Sequence, residues 1–132
     1  MARPPAEHPT DLELQILRIL WLQSPLPVRE VRQRLAESGR AIAHTSTITT
    51  LNTMVRKGYL NRRLAANALL FSPCVEEADV TRRMLDDLVH RAFSGSVSSA
   101  ALALFDSRSI DAEELRELRK LINQKIKDQS ES

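Results

Sequence analysis

Residues 44 to 58 read HTSTITTLNTMVRKG, and five threonines and one serine fall within the first ten of them. A hydroxyl both donates and accepts hydrogen bonds, and threonine adds a methyl group that packs on apolar surface. The stretch closes on Arg56, Lys57 and Gly58, two cations and a residue suited to ending a helix. Alternation of Thr45, Thr47 and Thr49 would suit a strand, because β-branched side chains favour extended backbone. The continuation favours a helix over 44–57. Thr47, Leu51 and Met54 recur at i, i+4 and i+7, with Thr50 between them. Thr47 and Thr50 are then expected to turn inward as core methyls. Thr45, Ser46, Ile48, Thr49, Asn52, Thr53 and Arg56 turn outward.

An outward face of this kind has the chemistry of duplex DNA recognition. Phosphates call for cations and amides, whereas base edges call for short polar or methyl-bearing groups. Thr45, Ser46 and Thr49 lie in the first turns, where a recognition helix meets bases and its N–H groups can meet a phosphate. Asn52 can read adenine by a bidentate contact, or meet backbone one turn deeper, with Thr53 beside it. Arg56 and Lys57, followed by Arg62 and Arg63, suit phosphates. His44 is placed to stack on a sugar, to donate to a phosphate, or simply to face solvent. The competing reading is a packing helix with a solvated face, which would carry its β-branched residues at a cost in helix propensity with nothing to offset it.

The flanking elements decide whether that face is presented. Thr10 and Glu13 have the spacing of a capping box, so a helix should begin at Asp11 and bury Leu12, Ile16, Ile19 and Leu20, with Leu17 and Trp21 widening the face. The SPLP segment at 24–27 breaks the chain. A second helix follows, with Val28, Val31 and Leu35 inside, Arg29, Arg32 and Arg34 outside, and an end near Ser38-Gly39. After the Thr-rich helix come two short strands, Tyr59–Leu64 and Ala68–Ser72, joined by a weak turn signal. Three helices and a hairpin in about 65 residues is the order of a winged helix-turn-helix, whose third helix can enter a major groove.

Beyond Cys74 the chain reads as three amphipathic helices, about 76–93, 97–105 and 111–127, separated by Ser94-Gly95-Ser96 and a polar break. Val80, Met84 and Leu88 line the first, Phe105 ends the second, and Leu115, Leu118 and Ile122 align on the third. Such stripes have no core of their own and are buried most economically against a second copy. The expected organisation is a flexible arm (1–9), a DNA-binding domain (10–74), a helical dimerisation region (75–127) and a tail (128–132). The fold class is mainly α with a small β-hairpin.

Composition bounds the rest. Net charge is +2, but residues 1–74 carry ten Lys/Arg against five Asp/Glu, whereas 75–132 carry nine against twelve. A basic half joined to an acidic half fits a polyanion partner for the first. The lone Cys74 excludes an internal disulfide and a multi-cysteine metal site, so no metal or cofactor is expected, and it suits a reducing cytoplasm. The first residues lack the apolar stretch of a signal peptide. No Gly-rich phosphate loop, HExxH or catalytic His/Asp/Ser set is present, and Glu76-Glu77 and Asp86-Asp87 read as solvated faces, so an enzyme is not expected.

The runs LELQILRILW (12–21), VREVRQRL (28–35), AHTSTITTLNTMVRKGYL (43–60) and FSP (71–73) resemble the BlaI/MecI/CopY family of bacterial repressors, with the likeness spanning about 10–126. The resemblance implies a homodimer whose winged helix-turn-helix domains bind a palindromic operator in double-stranded DNA and whose C-terminal helices join the two copies. Relatives that respond to copper carry C-terminal CxC pairs, and this tail has none. Relatives that respond to β-lactams are cut at an Asn–Phe bond by a membrane-bound sensor protease. The matching bond here is Leu104–Phe105, with the phenylalanine kept and the asparagine not, so Phe105 is also read as a dimer anchor. Thr53 stands where the family commonly has arginine. The wing, Leu64 to Phe71, is apolar where relatives carry cations, which keeps open a second class of function: a winged helix that binds protein, as an adaptor or antirepressor.

Overall fold

The computed structural model describes residues 8–107 and 109–131, so residues 1–7 of the expected arm and Ser132 of the tail lie outside the described residues. The element order is α1 (Asp11–Leu22), β1 (Leu26–Pro27), α2 (Val28–Glu37), α3 (His44–Lys57), β2 (Leu60–Ala65), β3 (Ala68–Pro73), α4 (Glu77–Phe93), α5 (Val97–Ser107) and α6 (Ala112–Glu131). The chain divides into two compact units, Met1–Asp87 and Leu88–Ser132. Among the described residues, no helix is long and apolar enough to cross a membrane.

In the first unit, α1 begins where its capping box dictates. The Thr10 hydroxyl accepts from the Glu13 N–H at 3.2 Å, and the Glu13 carboxylate accepts from the Thr10 N–H at 2.9 Å. Helix α3 ends on Gly58 at φ 89°, and the Tyr59 N–H reaches back to the Met54 carbonyl at 2.9 Å, a Schellman closure only glycine permits without strain. The core joins Ile16, Leu17 and Leu20 of α1, Val31 and Leu35 of α2, Leu51 and Met54 of α3, and Leu26, Leu60 and Phe71 of the sheet. Burial together with the nearby Glu13 charge pushes the Tyr59 hydroxyl above its ordinary 10.0, with Arg83 opposing. The folded state therefore holds that proton more tightly than the unfolded chain, and this stabilisation is lost as pH climbs through and above the ordinary tyrosine range. Urea midpoints measured across that range should fall, and a Tyr59→Phe variant should fall less steeply.

The sheet is larger than a hairpin. The expected break at 24–27 contains β1, which pairs antiparallel with β3 (Leu26 opposite Phe71, Pro27 opposite Leu70), so the order is β1-β3-β2. At the hairpin tip Ala66 and Asn67 both have positive φ, 49° and 67°, the requirement of a type I′ turn. Asparagine tolerates this conformation and alanine does not. An Ala66→Gly variant should therefore be more stable by about 0.5–1 kcal/mol in urea denaturation. Unchanged stability would mean the tip carries no strain.

The second unit contains the end of α4 with α5 and α6. None of its described residues is buried, and Leu88, Val97, Leu102, Phe105, Leu121 and Ile122 are all exposed. Its amphipathic faces have no core within the unit.

Candidate nucleic-acid interface

Helix α3 is held by one face. Thr47, Leu51 and Met54 are buried, while Thr45, Ser46, Thr49 and Arg56 are exposed. Two of the hydroxyls are spent on the helix itself. Thr47 donates to the Ala43 carbonyl at 2.9 Å and Thr50 to the Ser46 carbonyl at 2.8 Å, the back-bonding that lets threonine sit in a helix interior. Thr50, expected as a second core methyl, is half-buried on the rim. It lines a shallow hollow of about 310 Å³ with Thr45, Ser46 and Thr49. Ile48, expected outward, is half-buried too. The outward surface is thus a hydroxyl-lined hollow along the first turns of α3.

The start of α3 is electrostatically open. Ala43 supplies no side-chain cap, so the N–H groups of the first turn keep their donors and the positive end of the helix dipole is unmasked. His44 is exposed there and lines a cleft of about 480 Å³ with Arg29, Arg32, Gln33, Ala36, Ala41 and Ile42. Arg32 is braced by a 3.0 Å bond from its Nε to the Ile42 carbonyl. Arg29 and Arg32 were not among the candidates chosen from sequence. The signal was present: they stand one turn apart on the outer face of the helix before the Thr-rich one, the element that crosses the backbone in a helix-turn-helix. Arg34 is engaged elsewhere, with Gln23 at 2.8 Å.

At the other end of α3 the candidates separate. Arg56 is exposed. Lys57 is not directed outward: its Nζ lies 2.9 Å and 3.2 Å from the two carboxylate oxygens of Glu13, which is buried. A buried carboxylate needs a paired cation, so Lys57 holds α3 to α1. Asn52 and Thr53 are half-buried, and the Asn52 Oδ1 accepts from Arg62 Nη1 on β2. Arg63 is exposed on the same strand. His44 thus shares a cleft with Arg29 and Arg32 at the start of α3, and Thr45, Ser46 and Thr49 line a separate hollow along its first turns. Asn52, Thr53, Arg56, Arg62 and Arg63 lie toward its end and the wing.

The wing tip carries Leu64 and Leu69, paired across the strands and 70% and 42% exposed. Of the residues expected at a dimer contact, Val80 is already buried within the first unit and so is not part of an open face. Met84 and Leu118 are half-buried, and Leu88, Phe105, Leu115 and Ile122 are exposed.

Residues 9–124 match the protein family described as "Penicillinase repressor". The chain is 23% identical over 115 residues to the "Penicillinase repressor" of Bacillus licheniformis, covering 87% of this chain and 89% of that one. It is 19% identical over 116 residues to the "Methicillin resistance regulatory protein MecI" of Mammaliicoccus sciuri, covering 88% and 94%. Among solved structures it is similar in fold to the complex of hsRosR-S4, at 15% identity, 91% of each chain and a TM-score of 0.53.

Proposed function

The chain belongs to the penicillinase repressor family, and from that premise we propose that it is a transcriptional repressor, not an enzyme, acting as a homodimer on a palindromic operator. Residues 10–74 hold the DNA and residues 75–127 join the copies. The observation that carries this reading is the open face of α3, where Thr45, Ser46 and Thr49 line a hollow beside an uncapped helix start flanked by Arg29 and Arg32. Hydroxyls in the first turns suit base edges, and the N–H groups and arginines suit phosphates. The second copy is called for by the second unit, whose amphipathic helices bury none of their described residues alone.

The test is fluorescence anisotropy with a duplex from upstream of the protein's own gene, beside a shuffled duplex, over a salt series. Affinity should fall steeply with salt, by a slope of about 0.9 per phosphate contact. Arg56→Ala should weaken binding to every duplex and lower that slope by about one. Thr49→Ala should change the preference among duplexes and leave the slope intact. Equal effects of both variants on specific and shuffled DNA would refute this division of roles.

A second reading, a winged helix that binds protein, is favoured by the exposed Leu64 and Leu69 alone. It predicts binding that is insensitive to salt. Cleavage at Leu104–Phe105 by a membrane sensor protease would require α5 to unwind first, because that bond lies inside the helix.

A further inference from the structure

The hydrogen bond between Arg62 and Asn52 has a direction that bears on specificity. A guanidinium carries donors only, so the atom of the Asn52 amide that faces Arg62 is the oxygen. The bond lies at the surface, with Arg62 exposed and Asn52 half-buried, between two elements whose backbones are held by the core. Asn52 follows the buried Leu51 on α3, and Arg62 sits on β2 opposite Phe71, which is also buried. Reading adenine through asparagine needs both halves of the amide, the oxygen to accept from N6 and the NH2 to donate to N7. With its oxygen turned to the wing, Asn52 offers a ligand the NH2 group.

We infer that Arg62 is a positioning residue that turns Asn52 donor-outward, so that the operator position facing Asn52 is read as an acceptor edge, without the preference for adenine that a bidentate asparagine would give. This rests on the operator-binding reading above. Arg62 thereby acts on specificity through another side chain, in addition to any attraction its charge has for phosphate.

The experiment is selection of bound duplexes from a randomised half-site pool by the full-length protein. Wild type is compared with Arg62→Met, Arg62→Lys, Asn52→Ala and the Asn52→Ala/Arg62→Met double variant. The operator position whose preference changes in Asn52→Ala marks the base that Asn52 faces. Arg62→Met should enrich adenine at that same position by about fivefold or more, the low end of what a bidentate contact gives. Arg62→Lys, which keeps a donor beside the amide oxygen, should retain the wild-type preference, and the double variant should show no adenine enrichment. The inference is overturned if Arg62→Met selects the same bases as wild type while its salt slope drops by about one, which would make Arg62 a phosphate contact only. It is equally overturned if adenine is enriched in the double variant, since Asn52 would then not be the reader. A wild-type protein that enriches no sequence would instead remove the operator-binding reading itself.

Discussion

Leu118→Asp is expected to leave the protein monomeric and to weaken its binding to a full palindrome by about 100-fold or more. The reason lies in the second unit. On α6, Leu115, Leu118 and Ile122 recur at i, i+3 and i+7, which places them on one face; Leu115 and Ile122 are exposed and Leu118 is half-buried. A carboxylate in the middle of that stripe cannot be buried against a second copy without a partner charge. The loss in DNA affinity follows from linkage: in a dimer, the second half-site is met at a high effective concentration, an advantage of roughly 10² to 10⁴ that a monomer forfeits. Sedimentation at several protein concentrations checks the first effect, and anisotropy with full and half operators checks the second. Binding to a half-site should be unaffected. Ile122→Asp should behave alike. A Leu118→Asp protein that still sediments as a dimer would place the interface elsewhere.

The second large effect is expected from Lys57→Met. The Glu13 side chain is 4% exposed and that of Lys57 28%, so the pair sits at the margin of the core and ties α3 to α1. Removing the cation strands a buried carboxylate. Loss of one partner of a buried pair costs about 3–5 kcal/mol, and the partial exposure of Lys57 puts this case near the lower figure. Glu13→Gln should cost less. Glutamine keeps the capping-box geometry at the start of α1, and the freed ammonium can reach water. Urea denaturation of the two variants gives the comparison. A Glu13→Gln protein less stable than Lys57→Met would reverse this account of the pair. Lys57→Met also separates two roles. A phosphate contact would lower the salt slope of DNA binding by about one, whereas the pairing with Glu13 predicts an unchanged slope.

Where an element depends on neighbours a few residues away, it could be read directly. Thr10 and Glu13 placed the start of α1, and Gly58 placed the end of α3, because a cap is a contract between residues three to five positions apart. The same holds for the helical period through Thr47, Leu51 and Met54, which set the face α3 buries and so left Thr45, Ser46 and Thr49 outside. The resemblance to a repressor family also came from local runs in a fixed order.

What the sequence by itself determined, then, was the order of the helices and the hairpin and most of the face that α3 presents, since caps and turns are set by short-range sterics and hydrogen bonds and the buried face by the spacing of its inward side chains. Only the tertiary structure decided which polar groups remain free to act. Strand β1 has two residues, too few for a pattern, and exists through its pairing with Leu70 and Phe71 far along the chain. Lys57, expected from sequence at a phosphate, is paired with Glu13, 44 positions earlier and buried beside it. The Asn52 amide oxygen meets Arg62 only because the hairpin brings β2 alongside α3. Arg29, Arg32 and His44 meet in one cleft because α2 and the start of α3 pack side by side. Each of these depends on side chains joined by folding rather than by proximity in the chain, and a buried charge or an amide takes its role from the partner that reaches it.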